Sequence, residues 1–376
     1  MSEFAAGPAG RIERVRALMA ERGYDAIVVR DEANLRWLTG VKGVFDYTFE
    51  FPHAAFITAD QCLFHTDSRY LNSFEENPPA GSPWVYDMDE GTIPGWVAGK
   101  IAANKCRVCA VEDDMQINFY QGIQRGLEDR SVACMLPLMH DDIRKMRAIK
   151  DAEEIELMRH AQSITDAAFQ HMLGFIKPGM TEKQVRNELE NFMFANGADS
   201  LAFGSIVASG PNTANPHAVP SDRVIEKGDF VLMDYGAGYC DYRSDMTRTV
   251  VMGEPTQEQL DLYALVRRTH EECVAAIHPG VEGNDIFKLS KKIIGDAGYG
   301  DYYNHGLGHG VGIDIHELPN FNRSKNIIEV GSVITMEPGV YLPGVGGVRL
   351  EDYGVVTENG YEPFTKTPHD LHIIDC

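Results

Sequence analysis

The 376 residues suffice for two or three domains, and a hydrophobic content of 44% is enough for a substantial core. Acidic residues outnumber basic ones 56 to 34, and the net charge of −22 argues against nucleic acid and anionic membrane surfaces as partners. There is no basic run and no low-complexity tract, no apolar stretch approaches the ~18 residues of a membrane span, and the seven cysteines, odd in number and without framework spacing, fit a reducing cytoplasm.

The opening stretch, MSEFAAGPAGRIERVRALMAERG, reads as a polar helix rather than a signal peptide. Ile12, Val15, Leu18 and Met19 share one helical face, Gly23 stops the helix, and DAIVVR (25–30) is a buried strand. HAAFIT, QCLFHTD and CRVCAVE continue the strand pattern with helical stretches between, so residues 10–135 predict one α/β domain. His53 and His65 stand singly beside strands and read as structural. Phe45, Tyr47, Phe49 and Phe51 alternate like a strand, for packing or for lining a substrate or subunit contact. Cys106 and Cys109 form a CxxC without a partner pair, which reads as incidental. LPLMHDDIRKMRAIK (136–150) carries the domain boundary, giving units 1–143 and 144–376. Asp151 then opens a long helix, AEEIELMRHAQSITDAAFQHMLGFI, with apolar positions at three and four spacing.

Residues 226–251, EKGDFVLMDYGAGYCDYRSDMTRTVV, predict a β-hairpin with GAGYCDY supplying the turn. Asp234 ends the first strand and Asp245 begins the second, so the return brings two carboxylates side by side. Two solvated turn aspartates are the bland reading. If the pair is buried, two like charges a few ångströms apart need a counter-charge, and a metal is the simplest one.

The chain repeats the device. EKGDFVLMDYG (226–236) aligns with EVGSVITMEPG (329–339) at an offset of 103 residues, and Asp234 falls on Glu337. KPG at 177–179 matches HPG at 278–280, and His217 falls near His316. These offsets indicate a duplicated unit of about a hundred residues, too long for a solenoid repeat. The two halves are expected to face each other across one site. The second hairpin adds Glu351 in GGVRLEDYGVV, and GLGHGVG adds His309 between glycines that permit close approach. The ligand set is then Asp234, Asp245, His309, Glu337 and Glu351. Four carboxylates and one imidazole suit two harder divalent ions such as Mn, Co or Fe, with Zn a further candidate. Two such ions can share a bridging hydroxide and polarise a carbonyl, which is the chemistry of amide or ester hydrolysis.

With these residues in hand, the chain resembles the pita-bread metallopeptidases: the Xaa-Pro dipeptidases (prolidases), the Xaa-Pro aminopeptidases and their relative creatinase. RIERVRALMAERGYDAIVV and NLRWLTG resemble the family's opening, while MDYGAGYCDYRSDMTRTV, GHGVGIDIHELP, TMEPGVY and VRLEDYGVVTENGYE match its C-terminal motifs. The resemblance implies an α/β creatinase-like N-terminal domain and an α+β pita-bread catalytic domain of two pseudo-symmetric halves. It implies that Asp245 and Glu351 bridge the metals, that Asp234 serves one, and that His309 and Glu337 serve the other. Glu337 resembles the base that deprotonates the water. His217 and His316 match the histidines over the substrate, one for the oxyanion and one for the peptide. Arg349 and Tyr341 match substrate-contacting or supporting positions, Arg349 also being able to pair simply with Glu351 or Asp352. His305 matches a further active-site histidine, and Thr247 and Thr335 flank ligands they can orient. Phe203, Val219, Tyr341 and Val345 are candidate lining for a proline ring. The sequence departs from many relatives after LTG, where VKGVFDYTFEFPHAAF replaces a short Gly/Ser-rich turn.

The resemblance implies a manganese-dependent, cytoplasmic homodimer that cuts the bond before proline in short peptides. The sequence leaves dipeptidase and aminopeptidase both open. A pita-bread hydrolase or lyase acting on a non-peptide metabolite, and a non-catalytic interaction module, are the rival readings.

Overall fold

The computed structural model describes residues 7–41, 52–76, 82–87, 91–322 and 325–376. Phe45, Tyr47, Phe49 and Phe51 lie outside the described residues. The chain forms two compact units, Met1–Arg147 and Ala148–Cys376, dividing within the 136–150 segment a few residues beyond 143.

In the N-terminal unit, short apolar runs form a five-stranded mixed sheet. Its order is Val85–Asp87, Cys62–His65, Ala54–Thr58, Ala26–Val29, Cys109–Val111. The two central strands are buried along their whole length, as runs without polar alternation require. The first helix, Gly7–Arg22, buries Ile12, Val15 and Met19, and Gly23 ends it at φ 71°, a left-handed conformation that suits glycine. His53 packs edge-on against Tyr70 and Phe74, and His65 bonds Pro52 O at 3.3 Å, so both serve the packing. Cys106 and Cys109 are free, buried thiols whose pKa values burial raises.

One buried carboxylate organises this unit. Glu112 accepts the main-chain N–H groups of Arg30 (2.6 Å) and Asp31 (2.7 Å) through Oε2, and Asn34 Nδ2 (2.8 Å) through Oε1. Asp31 in turn caps the helix Glu32–Thr39 by accepting Asn34 N.

The C-terminal unit is two copies of one plan. The first copy has helices Ala152–Phe175 and Glu182–Ala195, then a sheet ordered Ile373–Ile374, Met246–Met252, Phe230–Tyr235, Ile206–Ser209. The second has helices Gln257–Ala275 and Gly283–Asp296, then a sheet ordered Glu317–Phe321, Gly308–Gly310, Val333–Met336, Asp352–Thr357, Gly360–Pro363. Small hydrogen bonds repeat too. Gly179 N donates to Ile225 O, as Gly280 N does to Ile328 O. Three of the four helices open on a polar cap with a capping box, at Asp151, Thr181 and Thr256.

The 226–251 segment differs from a plain hairpin. Phe230–Tyr235 and Met246–Met252 pair antiparallel, with Thr247 opposite Asp234. The connection, expected to be only a turn, is itself a ladder: Tyr239 pairs with Tyr242, and Gly238 with both Arg243 and Ser200. Cys240 and Asp241 close it at φ 47° and 71°, the left-handed pair that a two-residue hairpin turn demands.

Replacing Glu112 with Ala is expected to destabilise the N-terminal unit by roughly 2–3 kcal/mol, because two part-buried main-chain donors and the buried Asn34 amide lose their acceptor. All three tryptophans, Trp37, Trp84 and Trp96, lie in this unit. Urea unfolding followed by tryptophan fluorescence therefore reads it directly, and an unchanged midpoint would refute the assignment.

Candidate metal centre

Each carboxylate pair sits at the same end of two adjacent antiparallel strands. Asp234 lies on Phe230–Tyr235 and Asp245 just before Met246–Met252. Glu337 follows Val333–Met336 and Glu351 precedes Asp352–Thr357, where Met336 pairs with Asp352. The two strand pairs are joined directly: Glu351 N donates to Thr247 O at 3.1 Å, and Thr249 Oγ1 to Arg349 O at 3.0 Å. The four carboxylates therefore converge.

His309 completes the group. Its Nδ1 is bonded to Gly310 O at 3.1 Å, so Nε2 carries no proton and faces Glu337 (3.5 Å) and Asp245 (3.6 Å). One ligand atom from each of Asp245, His309 and Glu351 lies within 4.8 Å of the others. Glycine is needed on both sides of this histidine, because a Cβ at Gly308 would strike Thr335 O and one at Gly310 would strike Leu318 O.

Electrostatics follows from burial. Burial, with Glu351 and Asp234 adding repulsion, holds the Asp245 carboxyl well above the usual range. Burial and the Glu337 charge do the same to Glu351. Glu337 is pushed up to about 7 by burial, against the pull of Arg349. His309 is pushed down to about 3 by burial and by His316, so it is a neutral imidazole. Asp234 Oδ1 is buried without a hydrogen-bond partner among the described residues. Crowded acceptors, a neutral imidazole and an orphaned carboxylate oxygen are what a divalent-metal centre leaves when only its protein ligands are counted.

The supporting contacts are dense. Arg349 donates to Asp234 Oδ2 (2.5 Å), Tyr341 Oη (2.8 Å), Thr247 Oγ1 (3.0 Å) and Pro216 O (3.2 Å). It pairs with Asp234 rather than with Glu351 or Asp352. Thr247 Oγ1 donates a hydrogen bond to Glu351 Oε2 at 2.7 Å, and Thr335 Oγ1 accepts His309 N–H at 3.0 Å.

A cavity of about 700 Å³ opens over the cluster. Nine of the ten expected site residues line it, and Tyr341 does not. Tyr341 is buried behind the wall, where its hydroxyl contacts both Arg349 and His305 Nε2 (3.0 Å). His305 is pushed down to about 3 by burial and the Arg349 charge, and stays neutral. His217 and His316 are exposed in the cavity wall, and the His316 ring meets His309 edge-on at 4.3 Å. Burial and His217 lower the His316 pKa. Phe203 and Val219 supply apolar lining as expected, whereas Val345 is exposed on a hairpin tip and takes no part.

The His217 loop depends on one residue that sequence reasoning passed over. Glu182, fully buried, accepts Ser209 N, Ser209 Oγ and Asn212 Nδ2 through Oε1, and Ser221 N and Ser221 Oγ through Oε2. Arg186 and Glu190, one and two turns further along the same helix, reach the cavity wall and were missed too. The only signal for Glu182 is its place in the capping turn after Thr181, which any surface helix could share.

Comparison with known proteins agrees with this geometry. Residues 156–358 match the model of metallopeptidase family M24, and residues 11–149 match the creatinase/prolidase N-terminal domain. An uncharacterized peptidase of Bacillus subtilis, YqhT, is 37% identical over 97% of this chain and 100% of its own length. The structure of an Xaa-Pro dipeptidase from Bacillus anthracis superposes with a TM-score of 0.89 at 35% identity, covering 98% of this chain and 100% of that one. The X-Pro aminopeptidase of Thermotoga maritima gives 0.85 at 30% identity, covering 97% and 100%. With both domains matched and the similarity running nearly end to end, the chain belongs to metallopeptidase family M24.

Proposed function

We propose that this metallopeptidase cleaves Xaa-Pro dipeptides, and that Asp234, Asp245, His309, Glu337 and Glu351 hold two divalent ions, with manganese the native metal. The observation that carries the reading is the convergence of four carboxylates and one neutral imidazole on the floor of a cavity of about 700 Å³. The similar dipeptidase of Bacillus anthracis supports the substrate class. Bound ions supply charge that lowers the pKa of water and polarises a carbonyl.

The residues divide the remaining work. Glu337, a carboxylate on the cavity floor among the other ligands, would take the proton from the attacking water. Arg349, through its 2.5 Å bond to Oδ2, holds Asp234 aimed at the floor. His217 and His316 meet the substrate from the wall, one at the developing oxyanion and one at the peptide. Phe203 and Val219 offer apolar surface to the proline ring. His305 and Tyr341 hold Arg349 in place from behind. The seven free cysteines suit a reducing compartment, and we place the protein in the cytoplasm as a homodimer with no nucleic-acid or membrane partner. Among the described residues no helix is long and apolar enough to cross a membrane.

The likeness to an X-Pro aminopeptidase favours a second reading, removal of the first residue from longer Xaa-Pro-Yaa peptides. The deciding experiment uses metal-stripped protein reloaded with Mn²⁺ and a matched dipeptide and tripeptide. Proline is expected from the dipeptide only, with activity absent before reloading and down at least ~10³-fold in Asp245→Ala. Free Xaa from the tripeptide selects the aminopeptidase, and no cleavage of either by metal-loaded protein overturns both. Glu337→Gln is expected to lower kcat by about 10²–10⁴-fold with little change in KM, as loss of a general base does. Arg349→Lys cannot make the four contacts of the guanidinium, and kcat/KM is expected to fall about 10–100-fold in steady-state assays.

A further inference from the structure

A second cluster of ligating side chains lies elsewhere in the C-terminal unit. His270 projects from the helix Gln257–Ala275 into the interior, where it is 2% exposed. Neither of its ring nitrogens has a hydrogen-bond partner among the described residues. A buried imidazole with both nitrogens idle is costly and calls for a reason. What it faces is Asp352, whose Oδ2 lies 3.6 Å from His270 Nε2, too far for a hydrogen bond. His369, from the C-terminal segment, approaches the same oxygen with Nε2 at 2.6 Å. The two imidazoles meet edge to face, with centroids 4.6 Å apart at 72°. One ligand atom from each of the three residues lies within 4.8 Å of the others.

We propose that His270, Asp352 and His369 form a zinc site separate from the carboxylate centre. Two imidazoles and one carboxylate are a donor set that zinc accepts, with water as fourth ligand. His369 keeps about a fifth of its side chain exposed, which gives the ion and that water a way in. Metal–ligand distances of about 2.0–2.2 Å put tetrahedral ligands about 3.3 Å apart. The His270–Asp352 gap of 3.6 Å is already near that spacing. The 2.6 Å His369–Asp352 hydrogen bond must open by less than an ångström, the metal taking the place of the Nε2 proton while Nδ1 carries the one proton of the neutral ring.

The surroundings prepare the ligands. Arg248 donates from Nη2 to Asp352 Oδ1 at 2.7 Å, which fixes the carboxylate and leaves Oδ2 turned to the histidines. Burial pushes His270 down to about 4, so its ring is neutral, the form that binds a metal. The site ties together a helix, the strand that begins directly after Glu351, and the C-terminal segment. Its work is therefore structural.

The test uses the full chain carrying Asp245→Ala and His309→Ala, which cripples the carboxylate centre. After chelation, Zn²⁺ is added, excess is removed by gel filtration, and bound metal is measured by plasma emission. About one equivalent is expected to remain, and Zn²⁺ is expected to raise Tm. Adding His369→Gln, a change at a partly exposed position, is expected to abolish both effects. Retention of the same zinc after His369→Gln, or no retained zinc before it, overturns the proposal. Should the double variant not fold, the wild-type chain and His369→Gln alone are compared under the same protocol. A loss of one equivalent with Mn²⁺-supported peptidase activity preserved upholds the site, and equal zinc contents overturn it.

Discussion

Burying like charges together is the constraint on which the catalytic unit depends. Two carboxylates 4 Å apart repel by about 4 kcal/mol at an effective dielectric near 20. This fold drives four of them into one floor with the Arg349 guanidinium as internal counter-charge. Nothing in hydrophobic packing rewards that arrangement. It persists because strands hold the backbone on both sides, with Asp234 opposite Thr247 and Met336 opposite Asp352. Thr247 shows how tightly the network is drawn. Its hydroxyl accepts from Arg349 and donates to Glu351, so one side chain of the first half links a positive group to a negative one in the second. The negative charge left over is what makes divalent cations fit here.

The duplication explains how such a site arises from ordinary parts. Each half has a core between its own helices and sheet, around Phe169, Val231 and Met246 in one and Cys273, Ile286 and Ile334 in the other, and a third core joins Phe230 and Val251 to Leu262 and Val340. Each half offers carboxylates at the end of a strand pair, and neither half holds the full ligand set. The halves then diverge: the first supplies Asp234 and Asp245, and the second adds His309 to its two glutamates. His217 and His316 occupy corresponding places in the repeat and both reach the cavity wall.

What could be read from sequence tracks how local the signal is. The four site carboxylates lie in strand-turn patterns that recur at a fixed offset, so their convergence was legible without coordinates. His309 was legible because glycines crowd it. The wall was less so. Phe203 and Val219 reach the cavity, but Tyr341 turns behind it and Val345 points away, because a hairpin alternates its faces and one residue decides which side is wet. Arg186 and Glu190 sit on a helix whose pattern is that of any amphipathic surface. His270 and His369 are brought together only by the tertiary fold, and no spacing rule connects them. The turn at Cys240–Asp241 falls inside GAGYCDY as read, but the ladder around it was hidden because the pair is neither Asn-Gly nor Asp-Gly.

The chain's last residues bear on the centre through Arg248. This guanidinium is 1% exposed and makes five hydrogen bonds. Two go to Thr247 O and Glu351 O, within the strands that present the metal-facing carboxylates. One goes to Asp352, and two go to Pro368 O and Thr367 O in the C-terminal segment. The segment then continues as Ile373–Ile374, pairing parallel with Val251 and Met252. A charge this deeply buried is tolerable only when every donor is met, so the tail cannot leave without stranding the guanidinium. The position of Glu351 is therefore set from two directions, by Thr247 and Arg349 on the cavity side and by Arg248 and the tail on the other. A carboxylate in a candidate metal centre needs that kind of fixing, because an ångström of drift at its oxygens would alter the fit of a bound ion.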